Sequence, residues 1–368
     1  MSEYYTKQGY HITHISTDTE LSYVSCFFTS HSSSSRSLAI MHLAEHILIN
    51  VFRNLINSDN GAELTYQYAG AYTTKEYMCI YTYDFRHIYT TISVILKFLS
   101  MIANGSISKD LIKHYMRHEI KNIQNELLKK KPIVSHKFEQ LLYNSNYIAD
   151  NDDINTITAE EILQYIQQLN LKVNIVIVGK FNRESLCLFD YSCAELEEMP
   201  ISVASSSSSI IAKDSFPFQM AVRLPKVYST SDYLVAQVFQ FYFRDKLKEQ
   251  PCFFDLSTSL RVLQQGEAYV YGEGMSRDFN HRIDEDCVMF WIENINIFEL
   301  KKIYEEVRYR MLLTLDHLDV QAMWAYKSYC FSGTSSTKED ISCYELRQEE
   351  ICEYTKRLRK EIKVIFNE

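Results

Sequence analysis

Apolar and polar positions along the chain form two successions of strand and helix signals, separated by a polar, serine-rich stretch. In the first succession, alternation over Tyr10–Ile15 and Leu21–Thr29 predicts two strands. A serine loop, Ser32–Ser35, leads into an apolar run from Ser37 to Phe52 that predicts a helix. Between Ala71 and Asp84, aromatic and β-branched residues alternate, which predicts one strand with Tyr77, Cys79 and Tyr81 on a common face. Helices are predicted from Tyr89 to Asn104, ending at Gly105, and from Ser108 to Lys131, ending at Pro132. In the second of these, Leu111, Tyr115, Ile120, Ile123 and Leu127 keep helical spacing. A helix near Thr158–Gln168 and a strand over Val173–Val178 complete the succession.

The second succession starts with a strand over Gln219–Leu224 and a helix over Ser231–Lys248. Strands over Ala268–Glu273 and Val288–Glu293 follow, then a helix over Phe298–Leu315. The order strand, helix, strand, strand, helix thus recurs, without a repeat visible in the residues themselves. The intervening segment 196–216, with Ser205–Ser209, has the composition of a linker. We expect an α+β protein with one domain over 1–195, a linker over 196–216 and a second domain over 217–368.

Composition narrows the class. A chain of 368 residues, 46% hydrophobic, has material for about two buried cores. The 38 basic and 47 acidic residues leave a net charge of -9, so no nucleic-acid partner is expected. The start, Met1–Tyr5, lacks a basic segment followed by an apolar one, and apolar windows such as Ile92–Ala103 are too short to span a bilayer. Nine cysteines without a C-x-x-C pair read as reduced thiols, so a cytoplasmic location with no membrane partner is expected. The aromatic clusters Phe239–Phe243 and Cys252–Phe254 read as a buried helix and the turn after it.

The candidate chemistry lies on the first apolar helix, in His42-Leu43-Ala44-Glu45-His46. Histidines four apart on a helix point the same way, so both imidazoles can reach one ion, and Glu45 overhangs the same edge. This is the H-x-x-E-H pattern, the inverse of the H-E-x-x-H zinc signature. A catalytic zinc takes a third protein ligand and leaves its fourth position to water. The helix over 108–131 offers Glu119 and Glu126, seven apart and within roughly 20° of one face. One can bind a metal while the other supports it. His114 and His118, also four apart, lie about 140° and 100° from Glu119 and share their edge with no carboxylate; they read as surface histidines.

These residues together resemble the inverzincin metallopeptidases, the family of insulysin, pitrilysin and the mitochondrial processing peptidase. Ala69-Gly70-Ala71-Tyr72-Thr73-Thr74 is similar to the family's Asn-Ala-x-Thr segment, which begins the edge strand beside the active site. Leu260-Arg261 followed by Glu267-Ala268-Tyr269 is similar to its Leu-Arg then Leu-x-Tyr pattern. The resemblance implies two similar α/β-sandwich halves, each a mixed, mostly antiparallel sheet packed against helices, with the second half metal-free. It further implies that His42, His46 and Glu126 bind Zn2+, that Glu45 is the general base towards the attacking water, and that Glu119 supports the site. Peptide would add as a strand along an edge around Ala71–Tyr77, with Ala71, Tyr72 and Thr73 in contact with it.

Two departures qualify the likeness. Gly70 stands where the family usually has Asn. The family's second half also supplies an Arg and a Tyr seven residues apart, and alignment of that segment to Val288–Glu299 finds neither, with Arg277 or Arg282 as displaced candidates. Oxyanion donors of that kind are worth roughly 10²–10³ in rate. The expected enzyme is therefore a zinc endopeptidase acting on short extended peptides, such as a leader or precursor peptide, inside a closed dimeric chamber. It would be the zinc-bearing half of a heterodimer whose homologous partner supplies Arg and Tyr, or else a homodimer. The alternative is a non-catalytic or weakly active subunit that holds peptide for a metallopeptidase complex.

Overall fold

A computed structural model describes residues 1–5, 10–29, 35–59, 68–74, 76–85, 88–129, 151–169, 173–180, 216–250, 253–263, 266–276, 283, 285–361 and 364–366. These form two compact units. The first contains β1 (Ser2–Tyr5), β2 (His11–Ser16), β3 (Leu21–Thr29), α1 (Ser35–Asp59), β4 (Tyr68–Thr73), β5 (Tyr77–Phe85), α2 (Ile88–Ala103), α3 (Lys109–Lys129), α4 (Asn151–Thr156), α5 (Ala159–Leu169) and β6 (Val173–Gly179). Its sheet has the order β1-β2-β6-β3-β5-β4, with β2 and β6 parallel and every other neighbouring pair antiparallel.

The second unit contains β7 (Phe216–Leu224), α6 (Thr230–Lys248), β8 (Phe253–Val262), β9 (Ala268–Ser276), α7 (Glu285–Glu293), α8 (Ile297–Thr314), α9 (Leu318–Ser332), α10 (Lys338–Cys343), α11 (Gln348–Glu361) and β10 (Val364–Phe366). Its antiparallel sheet has the order β10-β7-β9-β8. That order matches β6-β3-β5-β4 of the first unit strand for strand. In both units one helix joins the second strand of this set to the edge strand, α1 in one and α6 in the other. The architecture is α+β, two halves of similar topology.

Strand periodicity decides which residues face the helices. In unit 1, Val24, Cys26 and Phe28 of β3, Met78 and Ile80 of β5, and Ile175 and Ile177 of β6 pack on Met41, Ala44, Ile47 and Leu48 of α1. Leu48 is fully buried, so its truncation to Ala would cost about 2–5 kcal/mol. The opposite face, with Tyr23, Phe27, Tyr77, Cys79, Val176 and Val178, is buried as well. A sheet buried on both faces explains near-continuous apolar strands such as Val173–Val178. In unit 2, Met220, Val222, Leu224, Ala268 and Val270 pack with Val238, Phe239, Tyr242 and Phe243 of α6.

Three predicted elements differ. The single strand expected over Ala71–Asp84 is a hairpin, β4 and β5, closed by a turn in which Thr74 N donates to the Tyr77 carbonyl at 2.8 Å. Both strands alternate, and no Gly or Pro punctuates Thr73-Thr74-Lys75-Glu76, so the pattern runs through the turn unbroken. The strand expected over Val288–Glu293 is helix α7. Its buried residues Val288, Trp291 and Ile292 keep i, i+3, i+4 spacing, and Glu285 and Asp286 open its first turn. Phe253 and Phe254 begin strand β8 rather than a turn. The serine loop 32–34, the end of the second predicted helix at 130–132, and the linker up to residue 215 lie outside the described residues. No described helix is long and apolar enough to cross a membrane.

Candidate metal centre

Helix α1 sets His42 and His46 one turn apart, with ring centroids 5.0 Å from each other. Helix α3 packs against α1 in the opposite direction: Glu126 lies beside His42, Glu119 beside His46, and Tyr115 beside Asn54. The Glu126 carboxylate is 3.5 Å from His42 Nε2 and 3.7 Å from His46 Nε2, and one ligand atom from each of the three residues lies within 4.8 Å of the others. Donors held about 2.0–2.1 Å from a tetrahedral ion sit roughly 3.3 Å apart, so this His-His-Glu set fits a divalent cation after small closures. It is a possible metal site, and its nitrogen and oxygen donors suit zinc.

A second layer of hydrogen bonds orients these candidate ligands. Glu119 is buried and accepts from His46 Nδ1 at 2.8 Å, which leaves His46 Nε2 directed at Glu126. Asn50 Nδ2 donates to Glu119 at 2.9 Å and to the His46 carbonyl at 2.8 Å, and Asn122 Nδ2 donates to Glu119 at 3.0 Å. Burial pushes the Glu119 carboxyl up, but the bonds from Asn122, His46 and Asn50 outweigh it and hold the group below its ordinary value.

Glu45 points along the same edge of α1 and is 7% exposed. Thr73 Oγ1 of β4 donates to its carboxylate at 2.5 Å. Among the described residues β4 is the last strand of the sheet, so this bond ties the carboxylate to the sheet edge. The edge strand spans Tyr68–Thr73, not Ala71–Tyr77; Tyr77 already belongs to the interior strand β5. Ala71, Tyr72 and Thr73 line one open cleft of about 790 Å³ with His42, Glu45, His46, Glu119 and Glu126. Burial raises the Tyr72 hydroxyl far above its ordinary value, so that side chain is a neutral wall.

The structure also accounts for Gly70. A Cβ there would lie 2.5 Å from the ring end of Tyr81, which occupies the space that an Asn side chain would take. His114 and His118 are both exposed, as their spacing predicts, but His118 lines the cleft without joining the ligand set.

Sequence reasoning missed Asn50 and Arg53. Both follow from helical spacing, since His46, Asn50 and Arg53 succeed one another at i, i+4 and i+7 on α1. The segment 288–299, aligned above with the family's Arg/Tyr segment, forms α7 and the start of α8, and the displaced candidates Arg277 and Arg282 lie outside the described residues. In the β8–β9 hairpin, by contrast, Arg261 and Tyr269 are register partners, and Arg223 of β7 is the partner of Tyr269 on its other side. They are eight apart, not seven. The connection passes through Gly266, whose φ of 78° and closeness to the Val227 carbonyl exclude a side chain. Burial pushes the Tyr269 hydroxyl up, with Glu267 adding and Arg223 opposing.

No protein-family model matches this sequence, and no curated protein matches it. Solved structures do. The M16 peptidase inactive domain from Pseudomonas fluorescens matches with a TM-score of 0.68 and 12% identity, over 100% of this chain and 97% of that one. A protease from Helicobacter pylori matches at 0.66 and 13%, over 100% and 99%. The first half of the periplasmic protease PqqL from Escherichia coli matches at 0.61 and 11%, over 98% and 86%. At such identities the likeness is one of fold: the chain has the two-half fold of M16-like peptidases. An inactive domain shares it, so the fold alone does not fix the chemistry of the cleft.

Proposed function

We propose that this chain is a zinc-dependent endopeptidase of the M16-like kind, hydrolysing short extended peptides such as a leader or precursor peptide. The observation that carries this reading is the meeting of His42, His46 and Glu126 beside Glu45, whose carboxylate is held by the edge strand. Zinc, when bound, polarises the scissile carbonyl and lowers the pKa of a water towards neutrality. Glu45 takes the proton from the attacking water, with Thr73 fixing its orientation. Glu119 keeps His46 in the Nδ1–H form. The backbone of Ala71, Tyr72 and Thr73 pairs with the substrate, which must be extended to lie along β4.

Arg261 and Tyr269 are the candidates for the substrate-clamping Arg and Tyr; burial keeps Tyr269 a neutral donor. The closed chamber needs a second homologous subunit. With both groups on this chain a like copy would serve, and an unlike chain that supplies them is the other arrangement. A second reading, a peptide-holding subunit without activity, draws support from the inactive M16 domain that shares the fold.

The deciding experiment measures metal content and peptide hydrolysis for the purified chain and a Glu126→Ala variant. About one tightly held zinc per chain, lost in the variant together with hydrolysis, is the expected result. A chain that binds no zinc even when it is supplied would overturn the enzymatic reading and leave the peptide-holding one.

A further inference from the structure

Seven residues beyond His46 on α1, the exposed side chain of Arg53 enters the same cleft. Its Nε and Nη2 both donate to the Ala69 carbonyl of the edge strand, at 3.2 and 2.9 Å. These two bonds fix the plane of the guanidinium and leave its Nη1 amino group and one Nη2 hydrogen available. The three carboxylates of the cleft are engaged elsewhere: Glu45 by Thr73, Glu119 by His46, Asn50 and Asn122, Glu126 by the two imidazoles. Among the described residues no carboxylate forms an ion pair with Arg53. The cleft therefore has a metal-binding end and a cationic end whose charge is not neutralised from within.

We infer that Arg53 is a carboxylate-reading subsite of the peptide groove, selecting substrates with an acidic group at a set distance from the scissile bond. The inference rests on the peptide-binding function proposed above and adds the chemistry of the substrate. Two rulers give the distance. Along α1, seven residues at 1.5 Å each separate His46 from Arg53 by about 10 Å. Along β4, the four steps from Thr73, which holds Glu45, to Ala69, which holds Arg53, span about 13 Å. A peptide extended along β4 advances by about the same 3.3 Å per residue. The acidic group thus lies roughly three to four residues from the scissile bond, on the Ala69 side. A planar guanidinium with two donors on one side suits a carboxylate in bidentate geometry. Its anchoring on Ala69 removes much of the ordering cost on binding. An Asp or Glu side chain and the peptide's own terminal carboxylate share this chemistry.

The test uses the full-length Glu45→Gln chain loaded with zinc, which should bind peptide without cutting it. Short extended peptides carry one Glu moved stepwise along the sequence, each with a Gln counterpart, and each as free acid and as C-terminal amide. At one spacing the acidic peptide should bind about tenfold more tightly than its neutral match. Adding Arg53→Gln should bring the two to parity, and Arg53→Lys should keep part of the preference. Zinc content of every variant checks that the cleft is intact. A gain that follows the internal Glu identifies an acidic side chain as the ligand; one that follows only the free acid identifies the chain end.

Equal binding of acidic and neutral peptides at every position overturns the subsite, as does a preference that survives Arg53→Gln. The unaltered chain is assayed in parallel for hydrolysis of the same peptides. Cleavage without any acidic preference removes the subsite alone. An Arg53-dependent preference without cleavage removes the proposed hydrolysis alone.

Discussion

Glu45 on α1 and Gln240 on α6 occupy matching places in the two halves. Both are 7% exposed, and both join their helix to a threonine of the edge strand. Glu45 accepts from Thr73 of β4, whereas Gln240 Nε2 donates to the carbonyl and hydroxyl of Thr258 of β8, each at 2.9 Å. Three residues earlier stand His42 and Gln237; one residue later, His46 and Phe241. The imidazoles of α1 face Glu119 and Glu126 of α3. Phe241 instead lies under the guanidinium of Arg244 at 4.3 Å and that of Arg310, from α8, at 5.3 Å. The shared scaffold supplies a buried helix-to-edge-strand contact and nothing more specific. An amide fills it with ordinary hydrogen bonds. A carboxylate there carries a desolvation cost that persists only where donors or cations offset it, and on α1 it sits beside two imidazoles.

The strongest way to break this contrast is to give unit 1 the amide of unit 2. Glu45→Gln should lower peptide hydrolysis by roughly 10²–10⁴ while zinc content stays at the level of the unaltered chain. Surviving hydrolysis would remove Glu45 as the base. Next in size, Glu119→Gln replaces the carboxylate that accepts from His46 Nδ1. Zinc affinity, measured by competition with a chelator, should weaken about 10–100-fold.

In the other direction, Gln240→Ala removes both bonds to Thr258 and should cost unit 2 about 1–3 kcal/mol while leaving zinc binding unchanged. Both tryptophans, Trp291 and Trp324, belong to unit 2, so their fluorescence during denaturation reports that unit.

The smallest effect concerns acid. Burial lowers the pKa of both His11 and His14 below the ordinary 6.5. His11 faces Glu3 and Asn174, and His14 contacts the Gly179 carbonyl. A folded value below the unfolded one means that the unfolded chain binds more protons as pH falls. Stability is then complete above about 6.5 and declines below it. No histidine of unit 2 is buried among the described residues. Protection factors of the β2 and β6 amides, taken relative to the intrinsic exchange rate at each pH, should therefore fall as pH drops from 7 to about 5.5, before the tryptophan signal changes.

Much of the site was legible because helical spacing is local. The pattern His42-x-x-Glu45-His46 puts three groups on one edge of a helix whatever that helix packs against, and Glu119 and Glu126 share a face for the same reason. Their separate places were not legible. Periodicity treats the two carboxylates alike; only the packing of α3 on α1 brings Glu119 to His46 Nδ1 and Glu126 to both Nε2 atoms. The hairpin within 71–84 was hidden because alternation continues across a turn without Gly or Pro. Helix α7 was hidden because a short apolar run with two aromatics fits either period.

What the sequence determined by itself, then, was a set of faces: which side chains share an edge of α1, which share one of α3, and that two α+β halves recur. Which faces meet was decided by the tertiary structure. His46 and Glu119 lie 73 residues apart, and the pairing of Arg261 with Tyr269 depends on strand register. Such juxtapositions come from many weak packing contacts summed over whole elements, and no local pattern of residue types encodes that sum.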